Sequence, residues 1–198
     1  MKKLVLLFLI LFSSGIFAQE VEQLPSQEGL PKPKEGKCLV YLTRRGASAF
    51  LLKISIYDGD LYLGKLSANK FFAYECEPGE HAFIAKSENT YYVDANLEEG
   101  RTYVLDVQIK PGVLYARVGI SPLSQNGKKF EKEKKKMLEF INKRNGELLF
   151  KENEDDEDDA PEKGSASEEA MTNRLRKFYE MKKAGKKMTT ITPDMYFD

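Results

Sequence analysis

Residues of the kinds that carry acid-base and metal chemistry are few in this chain. His81 is the single histidine, and Cys38 and Cys76 are the two cysteines. A zinc site takes three or four nitrogen or sulfur ligands, commonly in close pairs, and these three residues lack that spacing. The same scarcity argues against a Ser-His-Asp or Cys-His catalytic set. We therefore expect His81 to be a structural residue at the start of a strand, and we predict no catalytic residue, metal site or cofactor.

One pair of carboxylates invites a chemical interpretation. Asp58 and Asp60 flank Gly59, and paired carboxylates are the machinery of glycoside hydrolysis. Asp and Gly are also favoured in tight turns, because Asp can bond its own backbone and Gly tolerates positive φ. We expect a hairpin turn here, and a carboxylate-dependent hydrolase is the weaker alternative.

A second acidic stretch lies towards the C-terminus. Asp155, Glu157 and Asp159 stand at alternate positions, as the ligands of a calcium-binding loop do. Such a loop needs glycine at its sixth position and glutamate at its twelfth, where this chain has Ala160 and Ala166. Self-repulsion among the carboxylates instead predicts a disordered, solvated linker over residues 151–164.

The N-terminus predicts export. Lys2 and Lys3 precede an apolar run, and residues 1–18 end in the small residue Ala18, which is typical of a signal peptide cleaved between Ala18 and Gln19. The apolar run is shorter than the roughly 20 residues that span a bilayer. A lipid-anchored protein would have a cysteine in place of Gln19. We expect a periplasmic or secreted protein that is not lipid-anchored and has no transmembrane span in its mature form.

Export bears on the two cysteines. An oxidising compartment would permit a disulfide between Cys38 and Cys76. Each cysteine also stands in an apolar alternating pattern, in which a small buried thiol serves equally well. A disulfide and two unlinked core thiols therefore both stand as interpretations.

Charge and length bound the class of protein. The chain has 31 basic and 31 acidic residues. Loss of Lys2 and Lys3 with the signal peptide leaves 29 basic residues against 31 acidic ones, a net charge of about −2, which argues against nucleic-acid binding. The remaining length of about 180 residues suits one domain with appendages.

Residues 37–122 carry the pattern of an antiparallel β-sandwich. Short runs of β-branched and aromatic residues alternate with turn signals at regular intervals. The turn glycines are Gly59, Gly79, Gly100 and Gly112. We predict about eight strands, antiparallel to their neighbours because the connections are short. They are 37–44, 50–57, 61–66, 70–76, 81–87, 91–97, 102–109 and 113–120.

The flanking segments differ in composition. Residues 19–36 are rich in proline and glycine, and we expect an extended leader. Within residues 126–150, Phe130, Met137 and Ile141 recur at helical spacing, and the apolar residues 148–150 are expected to tuck onto the β domain.

A second, basic helix is predicted over residues 165–187, followed by an irregular tail over 188–198. Ser165 and Glu168 have capping-box spacing. The apolar stripe is narrow and consists of Met171, Leu175 and Phe178. The helix could lie on an anionic membrane, dock into a partner groove or fold back onto the acidic linker. With so narrow a stripe, we expect an exposed helix.

Four runs of sequence carry a family resemblance: residues 39–44, residues 56–59 with 63–66, residues 71–81, and residues 97–103. In these runs the β segment resembles the domain of unknown function 2846 family of bacterial exported and lipoprotein domains and, more distantly, the PEGA-type surface modules. The resemblance covers about residues 37–122. It implies an immunoglobulin-like or transthyretin-like sandwich and brings no catalytic residues. Family members are often lipoproteins, and Gln19 departs from that habit.

These features predict a non-enzymatic β-sandwich module of the bacterial cell envelope that binds or scaffolds an envelope protein or glycan. A peripheral membrane protein, held in weak surface contact by the basic helix, is the alternative, and a carboxylate-dependent hydrolase comes third.

Overall fold

The computed structural model describes residues 22–23, 30–110, 116–144, 146–149 and 172–197. Several predicted features lie outside these residues. They are the signal peptide with its cleavage site between Ala18 and Gln19, most of the leader, Gly112, the acidic linker, and the capping pair Ser165 and Glu168.

Strand residues outnumber helical residues in the described part of the chain and form two facing β-sheets, which confirms the predicted mainly β sandwich followed by helices. The eight principal strands are β2 (Cys38–Arg44), β3 (Ile54–Asp58), β4 (Leu61–Leu66), β5 (Lys70–Cys76), β6 (Gly79–Lys86), β7 (Thr90–Leu97), β8 (Thr102–Lys110) and β9 (Arg117–Pro122). The shorter strands are β1 (Glu22–Gln23), β10 (Glu147–Leu149) and β11 (Thr189–Ile191), and the helices are α1 (Phe130–Asn142) and α2 (Asn173–Lys183).

The first sheet has the strand order β1-β10-β5-β2-β8-β9, and the second has β11-β7-β6-β3-β4. Hairpin neighbours such as β6 and β7 are antiparallel, as predicted. β2 instead lies parallel to β8, β10 to β5 and β11 to β7. The partners in these parallel pairs are distant in sequence. The prediction of antiparallel neighbours was based on short connections, so it does not apply to them.

The prediction of a strand over residues 50–57 is wrong at its start. β3 begins at Ile54, and residues 45–53 form a loop that joins β2 in the first sheet to β3 in the second. Phe50 and Leu51 are apolar, which suggested a strand, but they lie in this loop and are exposed.

β2 is buried along its whole length because both faces of the first sheet are covered. Val40 and Leu42 face the second sheet in the sandwich core. Leu39 and Tyr41 point the opposite way and pack with Met137 and other residues of α1. Alternation of side chains along a strand explains this division, and the polar residues Thr43 and Arg44 stand at the C-terminal end of β2.

The C-terminal residues differ from the predicted tail. Thr189 to Ile191 pair with β7 as β11. Farther on, Phe197 is buried, with its ring 5.9 Å from that of Phe130 on α1. Its backbone N–H donates to the carbonyl of Thr102. Phe197 therefore packs with α1 and the first sheet, and the residues around it are part of the fold.

Helix α2 also differs from the expected exposed helix. Its Phe178 is buried against Tyr92 and other residues on the outer face of the second sheet. The helix begins after Thr172, whose hydroxyl accepts the N–H of Leu175 as an N-cap. Thr172 itself is held by Asp60, to which its N–H and hydroxyl both donate.

Candidate functional site

One end of the sandwich gathers loops from both sheets, and we call it the loop end. It comprises residues 45–53, 67–69 and 87–89 with the adjoining strand ends. Strand register places Lys70 opposite Arg44 and Arg117 opposite Lys110 at this end. Loops at one end of a rigid sandwich are a common place for binding residues, because the scaffold fixes them while their sequence is free to vary.

Arg44 is the anchor of the largest of these loops. It is the last residue of β2, and only 1% of it is exposed. Its guanidinium donates to the carbonyls of Ser48 at 2.8 Å and Ala49 at 2.9 Å, and also to those of Leu52 and Leu66. Burial lowers the pKa of Arg44, but a guanidinium stays charged in proteins. A buried cation thus satisfies backbone carbonyls that a loop would otherwise turn to water.

The anchored loop holds Phe50 and Leu51 outwards. Their exposed fractions are 68% and 81%. They are the two central residues of a turn that starts at Ala49, whose φ of 49° is in the left-handed region, and Leu52 N–H closes the turn by donating to the Ala49 carbonyl at 2.9 Å. A shallow depression of about 400 Å³ lies between this loop, Glu88 and Ala116. The loop end therefore presents two adjacent apolar side chains on a backbone that the Arg44 guanidinium holds in place.

The start of the same loop is tied to the first sheet and to α1. Arg45 bridges Asp106 at 2.8 Å and Glu133 at 3.1 Å. Asp106 is buried, and it also accepts the hydroxyl of Thr43 at 3.1 Å. Burial alone would lower the pKa of Arg45, but the two carboxylates outweigh it and raise that pKa. The guanidinium of Arg45 is therefore engaged by two carboxylates that fix the start of the loop.

The turn between β6 and β7 is braced against β9. Asn89 exchanges two hydrogen bonds with the backbone of Val118, and Glu88 accepts the N–H of Ala116 at 2.6 Å. The carboxylate of Glu88 is thus already engaged. Exposed cations also lie at this end of the sandwich, namely Lys53, Lys70, Lys110 and Arg117.

The second polar cluster surrounds His81, and it lies away from the loop end. Nδ1 of His81 is 2.6 Å from Asp58 Oδ2, and Nε2 is 2.8 Å from the Glu77 carbonyl. Tyr74 of the first sheet donates to the same Asp58 oxygen at 3.2 Å. Burial alone would lower the pKa of His81, but the hydrogen bond and charge of Asp58, with the Glu77 carbonyl, raise it. Both ring nitrogens face acceptors, so this arrangement suits an imidazolium and leaves neither nitrogen to act as a base.

The two carboxylates considered for hydrolysis serve separate partners. Asp58 holds His81 and Tyr74, whereas Asp60 holds the N-cap of α2. Gly59 between them has φ 59°, as the predicted turn requires. Gly79 and Gly100 likewise have positive φ. Among the described residues, no three His, Cys, Asp or Glu side chains are grouped so that they could hold a metal ion.

Cys38 and Cys76 lie directly opposite each other on β2 and β5, and both are buried as free thiols. Cys38 Sγ donates to the Glu98 carbonyl at 3.0 Å. Burial raises the pKa of Cys38 to about 11 and that of Cys76 still further. The pairing places them within reach of a disulfide, since directly opposed strand residues have Cα atoms 4.5–5.5 Å apart.

Sequence reasoning did not single out Arg44, Phe50 or Leu51. The signal that could have found them is the run of small residues after Arg44, from Gly46 to Ala49, which interrupts the strand pattern. An arginine at the end of an otherwise apolar strand was the second signal.

Compared with protein-family models, curated proteins and solved structures, this chain gives no match. Within the part of the chain that the structure describes, neither helix has the length and apolar character needed to cross a membrane.

Proposed function

We propose that this protein is an exported, non-enzymatic β-sandwich module of the bacterial cell envelope, and that it binds an envelope component through its loop end. The observation that carries the proposal is the pair Phe50 and Leu51, exposed at 68% and 81% on a loop anchored by the buried Arg44. Among the described residues, Tyr179 is the other large apolar side chain that is exposed, and exposing two adjacent apolar side chains gains nothing for stability.

Export and the envelope location rest on the sequence of residues 1–18 and on the resemblance of residues 37–122 to the domain of unknown function 2846 family. Gln19 supports release without a lipid anchor. The proposal of a non-enzymatic role is supported by the engagement of His81, Asp58 and Asp60 in structural contacts.

The basic helix α2 is the weaker candidate for attachment. Phe178 is buried against the second sheet, and Arg174 lies 3.9 Å over the ring of Tyr57. Lys182 contacts Asp94 at 3.0 Å and Glu80 at 3.5 Å. The apolar stripe and part of the basic surface are thus used within the molecule, so no specific observation favours this helix as a membrane anchor.

Site-specific photo-crosslinking tests the proposal with the full chain. A benzophenone amino acid replaces Phe50 in one sample and Tyr179, which is 49% exposed on α2, in a matched control. Each protein is irradiated in bacterial envelope extract. We expect position 50 to label one discrete component, with the label competed away by unmodified protein, and position 179 not to label it. Equal labelling at both positions, or none at position 50, would contradict the proposal.

Point variants are preferable to truncation in any such test. A chain ending at residue 123 would lack β10, β11, α2 and the buried Phe197, all of which pack on the two sheets. If this shortened chain failed to bind, the cause would be unfolding and not the loss of a binding residue.

A further inference from the structure

The charge at the loop end bears on the chemistry of the partner that the two exposed apolar side chains would contact. Lys53, Lys70, Lys110 and Arg117 are exposed at the loop end, beside or across the strand ends from the loop that carries Phe50 and Leu51. The acidic residue among the described loop residues 45–53, 67–69 and 87–89 is Glu88, and its carboxylate already accepts the N–H of Ala116. At the adjoining strand ends, exposed Glu147 of β10 lines a depression together with Lys70. In the described residues, exposed cations thus outnumber exposed carboxylates at the end of the sandwich that carries the apolar tip, and we call these four cations the cationic rim.

A protein partner and a second copy of this chain both suit this surface poorly. A stable protein interface buries about 800 Å² on each partner around an apolar centre, whereas here two side chains project beside one shallow depression. In a symmetric dimer formed through the loop end, the same cationic rim would face itself, and like charges placed together oppose association.

An anionic bilayer surface suits it well. Apolar tips of peripheral proteins enter the boundary between head groups and acyl chains, while nearby Lys and Arg side chains are drawn to lipid phosphates. The anchored backbone matters here, because Arg44 holds the carbonyls of Ser48 and Ala49, directly before the apolar pair.

We propose that the loop end docks on anionic phospholipid, with Phe50 and Leu51 inserted at the head-group boundary and Lys53, Lys70, Lys110 and Arg117 facing the phosphates. This inference rests on the proposed function, because it names the envelope component that the loop end binds.

Flotation of the full chain with vesicles tests it. One set of vesicles is phosphatidylcholine alone, and the other is phosphatidylcholine and phosphatidylglycerol in equal parts. Lys2 and Lys3 lie beside the apolar N-terminal run, so that run can also favour anionic lipid, and the Phe50/Leu51 variant below, which keeps it, measures its contribution. We expect flotation on the anionic vesicles well above that on the neutral ones, and we expect the excess to fall as salt is raised.

Two variants with matched controls locate the contact. Phe50→Ser with Leu51→Ser should reduce the excess binding at least tenfold, whereas Tyr179→Ser should leave it unchanged. Lys53→Glu with Lys110→Glu should reduce it by roughly fivefold per cation removed, whereas Lys177→Glu on α2 should not. Thermal unfolding of each variant checks that it folds.

The outcomes separate this inference from the proposed function. Absence of excess flotation, or equal excess for the Phe50/Leu51 variant and the unmodified chain, overturns the lipid inference. If position 50 nevertheless crosslinks one envelope protein or glycan, the binding module stands with a different partner. If neither excess flotation nor labelling is found, both proposals fail.

Discussion

His81 Nδ1 lies 2.6 Å from Asp58 Oδ2, and this contact joins β6 to the end of β3 within the second sheet. Tyr74 of the first sheet donates to the same carboxylate oxygen. One polar cluster therefore connects the two sheets at a point where the rest of the interior is apolar. Such a cluster stabilises the fold only while its groups carry the charges that the geometry requires.

Replacement of His81 by Gln should destabilise the protein more at low pH than at high pH. The pKa of His81 is raised in the folded state above its unfolded value of about 6.5. The stability that the imidazolium contributes is thus fully present below about pH 6.5 and is lost as the pH rises through the folded pKa. We expect a loss of about 1–3 kcal/mol near pH 5.5 and a smaller loss near pH 8.5, measured by urea unfolding. Equal losses at both pH values would contradict the charged-pair interpretation.

NMR titration gives an independent check, because His81 is the single histidine and its ring signals need no assignment. The pKa should lie above the ordinary value in the unmodified protein. In Asp58→Asn it should fall, since burial then acts without the carboxylate that opposes it.

Arg44→Met should cost about 2–4 kcal/mol, because it leaves the carbonyls of Ser48, Ala49, Leu52 and Leu66 without their buried donor. The amide of Leu52, which closes the turn on Ala49, should exchange its hydrogen faster as the loop loosens. Lys53→Met is the matched control, since Lys53 is an exposed cation of the same loop and its change should stay within about 0.5 kcal/mol. An unchanged exchange rate at Leu52 would show that Arg44 does not hold the loop.

Much of the fold could be predicted because it depends on local patterns. Alternation and turn glycines locate the eight principal strands, and Gly59 and Gly79 have the positive φ that their turns need. The short strands β10 and β11 have three residues each, and they exist because an open sheet edge offers unpaired backbone groups. No local pattern in the sequence carries that information.

The candidate site escaped prediction for a related reason. Phe50 and Leu51 are apolar, and period alone assigns them to a strand and to the core. Their exposure follows from Arg44, which takes the carbonyls around them into a loop instead. The role of Arg44 depends on where four carbonyl groups lie in space. The burial of Phe178 was missed for a similar reason. The narrow apolar stripe of α2 packs beside Tyr92 of β7, and the sequence of α2 does not show that this surface is present.

The two cysteines should react slowly with an aromatic disulfide reagent when the protein is native and reduced. Cys38 and Cys76 are buried, and burial raises the pKa of Cys38 to about 11. Only a small fraction of that thiol is ionised near pH 8, and the thiolate is the reacting form. We expect labelling about 100-fold or more below that of an exposed thiol, and two equivalents in urea.

Protein purified from an oxidising compartment separates the two interpretations of these cysteines. Two thiols released in urea would support unlinked core residues, and none would reveal a bridge between the opposed positions on β2 and β5. Cys38→Ala gives the calibration of one equivalent. Rapid labelling of both thiols in the native reduced protein would contradict their burial.

Phe178→Ala should show that α2 belongs to the folded domain. The side chain is 2% exposed, and its ring centroid lies 6.5 Å from that of Tyr92. Removing a buried aromatic side chain costs about 3–5 kcal/mol when the surroundings cannot close over the space, and we expect a loss near the lower value because a helix on the sheet surface can shift. Tyr179→Ala is the control on the same helix, since Tyr179 is 49% exposed, and it should cost less than about 1 kcal/mol. Trypsin cleavage after Arg176 and Lys177 should accelerate in the Phe178 variant alone. If both variants have the stability and cleavage rate of the unmodified protein, α2 contributes nothing to the fold, and its basic surface again becomes available for a partner.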